Sequence, residues 1–285
     1  MHVTLLITCV VDVVAPEVAE SAVRVLRAAG CEVTCDLTQT CCGQPAWNAG
    51  FAEEAAAVAR PTLAALEAEL ERGAEAAVVP AGSCATMVRL FWPELFELVG
   101  DHDAARRARA VGARTRELSE LLADRAGELP PLRLDGDPPA GAARRIALHQ
   151  SCHMLRELRI AEQPGRLVEL VDGCEAVPWE AADRCCGFGG TFSVKLPEAS
   201  VAMADDKLRE VAAVAPDELV GCDTSCLLHL QARAETTGTP VRIRHLAEVL
   251  AEALPAAGDD PGAGAGGASE VGTSGGGAGD EGVEG

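Results

Sequence analysis

Asp183-Arg184-Cys185-Cys186-Gly187-Phe188-Gly189-Gly190 holds a vicinal cysteine pair closed by glycine, and Cys41-Cys42-Gly43 repeats that motif earlier in the chain. Each pair has one cysteine upstream and one downstream at matching distances. The first set is Cys9, Cys41, Cys42 and Cys84, with gaps of 31 and 41 residues. The second is Cys152, Cys185, Cys186 and Cys226, with gaps of 32 and 39. A thiolate pattern that recurs with its glycine and its spacing marks an internal duplication. It makes metal binding, by an iron–sulfur cluster first of all, the leading expectation.

Outward from the pairs, each half reads as a small α/β unit. Val3-Thr4-Leu5-Leu6-Ile7 is an apolar run leading to Cys9 and suits a buried strand. A helix is expected over about 16–29 with Gly30 as its stop, then a strand at Cys31-Glu32-Val33-Thr34. An alanine-rich helix follows over about 46–72, with Pro61 as its expected breaking point. Ala76-Ala77-Val78-Val79 is a third strand that delivers Cys84.

The second half keeps this order. Ile146-Ala147-Leu148-His149 leads into Cys152, and Gly173-Cys174-Glu175 matches Gly30-Cys31-Glu32. Helices are expected over about 164–171 and 197–214, and Leu219-Val220 precedes Cys226. Strands alternating with helices imply an α/β fold of two tandem repeats with parallel sheets. Loops at the carboxyl ends of such strands converge on a crevice, and all eight cysteines fall on those loops. The expected organisation is a first cysteine-rich domain at 1–128, a Pro-rich linker at 129–143, a second domain at 144–254 and a tail at 255–285. From Ala256 onward there are six acidic residues, no Lys or Arg, and glycine at 12 of 30 positions, so that tail is expected to be disordered.

A net charge of −20 argues against nucleic-acid partners, because phosphate backbones require a basic face. The N-terminus lacks a basic leader region, and no stretch approaches eighteen uninterrupted apolar residues. A cytoplasmic protein with reduced thiols is expected, and twelve cysteines there point to metal or redox work rather than disulfides.

The chain has no C-x-x-C knuckle, the usual zinc signature. Neighbouring residues direct their side chains apart, so a vicinal pair reaches separate metal atoms of a cluster more naturally than a single ion. Zinc and free redox thiols remain alternatives. Cys31 and Cys174 sit at equivalent helix-to-strand junctions and read as core, and Cys35 has no counterpart. His149 and His153 flank Cys152, and His229 follows Cys226. They are candidate proton donors beside a cluster, or simply hydrogen-bonding loop residues. Arg184 and Lys195 would moderate thiolate charge if they face it. Gly187-Phe188-Gly189-Gly190 lacks the dinucleotide-binding spacing, and neither a P-loop nor a bacterial ferredoxin run occurs.

The residues His149-Gln150-Ser151-Cys152-His153-Met154-Leu155-Arg156, Asp183 to Lys195, and Cys226-Leu227-Leu228-His229 carry a resemblance to a known family. The duplicated pattern resembles the cysteine-rich "CCG" domain found in heterodisulfide reductases, and more closely the lactate-utilisation protein A family of iron–sulfur oxidoreductases. The resemblance implies a [4Fe–4S]-type cluster on Cys152, Cys185, Cys186 and Cys226. It also implies an NAD-independent role in oxidising L-lactate to pyruvate, beside a ferredoxin-type iron–sulfur partner and a further lactate-utilisation subunit. A thiol–disulfide reductase of the heterodisulfide type and a zinc-stabilised scaffold are the alternatives. The heterodisulfide reductase pattern ends each repeat with C-x-x-C and five thiolates. Here Cys222 stands four residues before Cys226, a candidate fifth ligand, while Pro80 occupies the matching place before Cys84. The first set is therefore expected to hold a cluster, zinc or nothing.

Overall fold

Four short strands in each half pair in parallel, with runs such as Ala76–Val79 fully buried among them. The computed structural model describes residues 1–134 and 143–256, so 135–142 of the expected linker and 257–285 of the expected tail lie outside the described residues. β1 (His2–Leu5), β2 (Glu32–Thr34), β3 (Ala76–Val79) and β4 (Thr115–Glu117) form a sheet in the order β2-β1-β3-β4. Further along, β5 (Leu132–Arg133) pairs with β7 (Val171–Asp172) as a two-stranded ribbon. β6 (Arg144–His149), β8 (Cys174–Val177), β9 (Glu218–Gly221) and β10 (Arg242–His245) form the second sheet, in the order β8-β6-β9-β10. The register repeats as well: Val3 pairs with Val33 and Ala76, and the equivalent Ile146 pairs with Ala176 and Glu218. The two α/β repeats with parallel sheets are thus as the cysteine spacing implied.

Alternation along each strand gives every sheet two buried faces. Val3, Leu5 and Val78 from the first sheet and Ile146 and Val220 from the second share one core that spans both halves. The opposite faces bury Leu6 and Val79 under the first half's helices, and Ala147 and Leu219 under the second's. Met1–Leu254 is one compact unit.

The contacts between halves follow the duplication. The helix Pro16–Ala28 packs on Leu246–Glu252, and its equivalent Gln163–Glu169 packs on Leu118–Asp124. Near the cysteines, the helix Gly82–Thr86 packs on Cys152–Arg156, so closely that a Cβ on Gly82 would lie 2.6 Å from Met154 Cβ. The helix Cys9–Val14 likewise meets Thr224–Thr237. The last two contacts join helices that carry cysteines of the two sets, Cys84 with Cys152 and Cys9 with Cys226.

The expected break at Pro61 is absent: Ala52–Glu71 runs through it as one helix. Pro61 lies on the exposed side, where water can satisfy the carbonyl its missing N–H leaves free. The interruption falls earlier, where Gln44–Asn48 ends and Gly50 turns the chain at φ +84°. Glycine adopts that left-handed conformation without a Cβ penalty.

Candidate metal centre

Cys9 and Cys152 each open a short helix at the carboxyl end of the central strand of a sheet, β1 and β6. Cys84 and Cys226 lie in the first turn of the helices after β3 and β9. The vicinal pairs occupy the loops beyond β2 and β8, held by their glycines. Gly43 has φ +83° and Gly187 φ +90°, and a Cβ there would come within 2.6 Å of Ala55 O and 2.5 Å of Ser200 O respectively. Only glycine lets these loops lie against the following helix in a left-handed turn.

The sulfurs within a set lie close together. Cys9 Sγ donates to Cys41 Sγ at 3.3 Å, Cys42 Sγ donates to Cys84 Sγ at 3.2 Å, and the Gly43 amide donates to Cys41 Sγ at 3.4 Å. Hydrogen bonds from Cys42 and Cys9 hold the Cys41 thiol down at about 3. In the second set the neighbouring thiols of Cys152 and Cys186 likewise hold the Cys185 thiol well below the usual thiol range. Gly187 N and Phe188 N donate to Cys185 and Cys186 at 3.4 Å each. The neighbouring thiol and amide donors thus favour the thiolate at the first sulfur of each pair, the form that binds metal. Backbone N–H groups aimed at sulfur stabilise it and tune the potential of a bound cluster.

Both sets open onto one cavity of about 340 Å³, lined by Cys9, Cys42, Cys84, Cys152, Cys185, Cys186 and Cys226 among others. The Phe188-Gly189-Gly190 loop closes over it, with Gly190 against Pro45 of the first half. Asp223, 1% exposed, joins the halves at its floor: one carboxylate oxygen accepts from Ser83 N at 2.9 Å and the other from Ser225 Oγ at 2.6 Å.

The remaining candidates distribute as follows. Cys222 does not join the second set. Its thiol is buried against Ser119 and Glu117 of the first half, in the shared core, whereas Cys186 and Cys226 pack in the second half's own core. The reason is the strand pleat: Cys222 lies one step past β9 and points to the sheet face opposite Leu219's. Cys31 is buried in the shared core and Cys174 packs against it, while Cys35 Sγ accepts from Gln39 Nε2. His153 places its ring edge-on to Phe91. His229 Nε2 meets Ser200 Oγ at 3.2 Å, and that hydroxyl donates to Gly187 O. His149 is buried with both ring nitrogens unbonded. Burial, with Lys207 nearby, drops its pKa to about 3 and keeps the ring neutral.

Arg184 and Lys195 are both exposed, the latter 5.7 Å from the Phe51 ring. The cation that serves the second pair is Lys207, 1% exposed. Its Nζ donates to Ala181 O, Ala182 O and Arg184 O at 2.6, 3.1 and 2.6 Å, and lies 4.8 Å from the Trp179 ring centroid. Three carbonyl acceptors use all three N–H groups of an ammonium. Burial lowers its pKa to about 8, opposed by the sulfurs of Cys186 and Cys226. The sequence carried a signal for it: Lys207 falls on the same helical stripe as Ala204, Leu208 and Val211.

Eight converging thiols and an imidazole without partners fit a thiolate-held metal centre better than a packed core. The cysteine-rich domain family matches the chain twice, at residues 3–89 and 146–231. Lactate utilization protein A of Exiguobacterium sp. is 40% identical over 253 residues, spanning 89% of this chain and 98% of that protein. Lactate utilization protein A of Geobacillus kaustophilus is 39% identical, covering 88% and 98%. Lactate utilization protein A 1 of Bacillus mycoides is 38% identical, covering 88% and 97%. Among solved structures, a putative Asp/Glu racemase from Yersinia pestis overlays 88% of this chain and 96% of its own with a TM-score of 0.35 and 14% identity, a likeness too slight to build on.

Proposed function

The chain belongs to the lactate utilization protein A family of paired cysteine-rich domains, and from that premise we propose that it is the iron–sulfur electron-transfer subunit of a system oxidising L-lactate to pyruvate. Cys152, Cys185, Cys186 and Cys226 hold a [4Fe–4S]-type cluster, and Cys9, Cys41, Cys42 and Cys84 hold a second metal centre. An iron–sulfur cluster, when bound, supplies one-electron transfer. The observation that supports the reading is the cavity lined by thiols of both sets.

The chain's own residues fill complementary roles. Gly43 and Gly187 let amides reach the sulfurs, and Lys207 supplies a fixed positive charge beside the second set. Among the described residues no Lys or Arg lines the cavity, so a 2-hydroxy carboxylate finds no cationic partner among them there. Lactate is then oxidised elsewhere in the system, and a ferredoxin-type protein and a further lactate-utilisation protein exchange electrons with this chain. Among the described residues no helix is long and apolar enough to cross a membrane.

A strain deleted for this chain tests the role. Growth on L-lactate should be lost and restored by the wild-type gene but not by a Cys185→Ser/Cys186→Ser version. Unimpaired growth of the deletion strain on L-lactate would overturn the assignment.

A further inference from the structure

The duplication supplies an internal control, because equivalent positions around the two cysteine sets differ in kind. Where the first half has Leu6, Thr62 and Ala81, the second has His149, Lys207 and Asp223. The thiol frame is shared, but the second set has an additional donor group. His149 ends β6 at 4% exposure, and neither of its ring nitrogens has a hydrogen-bond partner. Leu6, at the same place after β1, is an ordinary core residue of the first half. A core position served by leucine in one copy gains nothing in packing from an imidazole with two unmade hydrogen bonds. One ring nitrogen of His149, Cys186 Sγ and Cys226 Sγ all lie within 4.8 Å of one another.

We propose that His149 is a ligand of the metal centre in the second set, bound through a ring nitrogen beside Cys186 and Cys226. The proposal rests on the reading that this set holds an iron–sulfur cluster. It makes the second centre a mixed thiolate–imidazole site and the first an all-thiolate one. Imidazole is neutral where thiolate is anionic, so a nitrogen ligand that takes a thiolate's place on one iron reduces the negative charge on a cluster and raises its potential. The duplication then yields two unlike centres on one crevice, with the second the preferred resting place of an electron. The cation of Lys207 acts in the same direction on the same set.

The test uses the full chain purified anaerobically and labelled with ¹⁵N at histidine only, with nitrogen hyperfine coupling measured on the reduced protein. A coupling of the strength of a direct metal–nitrogen bond is expected in the wild type and should persist in His153→Leu and His229→Leu. It should be lost in His149→Leu, which places the first half's residue at this site. Retention in the two control variants makes the assignment independent of how much iron His149→Leu keeps. Iron-loaded wild type without such a coupling, a coupling that survives in His149→Leu, or one lost in His153→Leu overturns the proposal. Wild-type protein with no iron overturns the cluster reading and this ligand assignment with it.

Discussion

Replacing Gly187 by alanine should cost far more stability than the same change at Gly50, although the two backbones have nearly the same shape. Gly187 has φ +90° and Gly50 +84°, so both variants place an L-residue in the left-handed region at about 1–2 kcal/mol. There the similarity ends. Nothing lies within 4 Å of a Cβ at Gly50, whereas one at Gly187 would sit 2.5 Å from Ser200 O and 3.0 Å from Met203 Cβ. Ser200 belongs to the first turns of the helix Pro197–Val214, so its carbonyl yields only if the helix or the Cys185-Cys186 loop shifts. Overpacking of that kind adds about 1–3 kcal/mol, giving a total of about 2–5 kcal/mol. That is a large fraction of the ~5–15 kcal/mol that holds a typical domain folded. Urea unfolding of reduced, metal-free protein followed by circular dichroism would measure both variants without interference from metal content. Gly43→Ala, with Ala55 O at 2.6 Å, should behave like Gly187→Ala. Equal losses at Gly187 and Gly50 would refute the argument that close approach of the loop to the helix, rather than φ alone, fixes the Cys-Cys-Gly motif.

Three further outcomes are expected. Burial lifts the carboxyl of Glu117 from 4.5 to about 7, so the native state binds its proton more tightly than the unfolded chain does. Stability should therefore fall by about 3 kcal/mol as pH rises from about 4.5 to 7, and Glu117→Gln should remove that slope in a pH series of urea midpoints. Lys207→Met leaves three carbonyls, one buried and two partly buried, without their donor and should destabilise the metal-free protein by about 2–3 kcal/mol. Thr62→Val, at the equivalent site, breaks only neutral bonds with Cys41 O, Thr40 N and Thr40 Oγ1 and should cost about 1 kcal/mol. Parallel thermal and urea melts compare the two. Cys222→Ala should retain wild-type iron while Cys226→Ala loses it, and iron loss in both would return Cys222 to the ligand set.

The duplication was legible because cysteines cannot drift in spacing when they must meet at one place, and because β3 and β9 are short, fully buried runs. The parallel order and the position of the pairs beyond β2 and β8 followed from alternating strands and helices. The joining of the two sets was not legible. It depends on how Pro16–Ala28 meets Leu246–Glu252 and on the close approach at Gly82, both products of tertiary packing between distant segments. Lys207 escaped notice because its role is defined by carbonyls 23 to 26 residues away in sequence. Arg184 and Lys195 drew attention by adjacency, yet their side chains face solvent. Cys222 was misplaced for a related reason: spacing along the chain does not say which sheet face a residue one step past a strand will take. Pro61 shows the converse, since its exposed setting removes the penalty that its identity implied.

Iron and acid-labile sulfide per chain, measured on anaerobically purified protein beside its visible spectrum, test the central claim most directly. The account predicts iron and sulfide in matching, several-atom amounts with thiolate-to-iron charge-transfer absorbance, all lost from the second centre in a Cys185→Ser/Cys186→Ser variant. Zinc alone, at one or two ions per chain with no such absorbance, would contradict it.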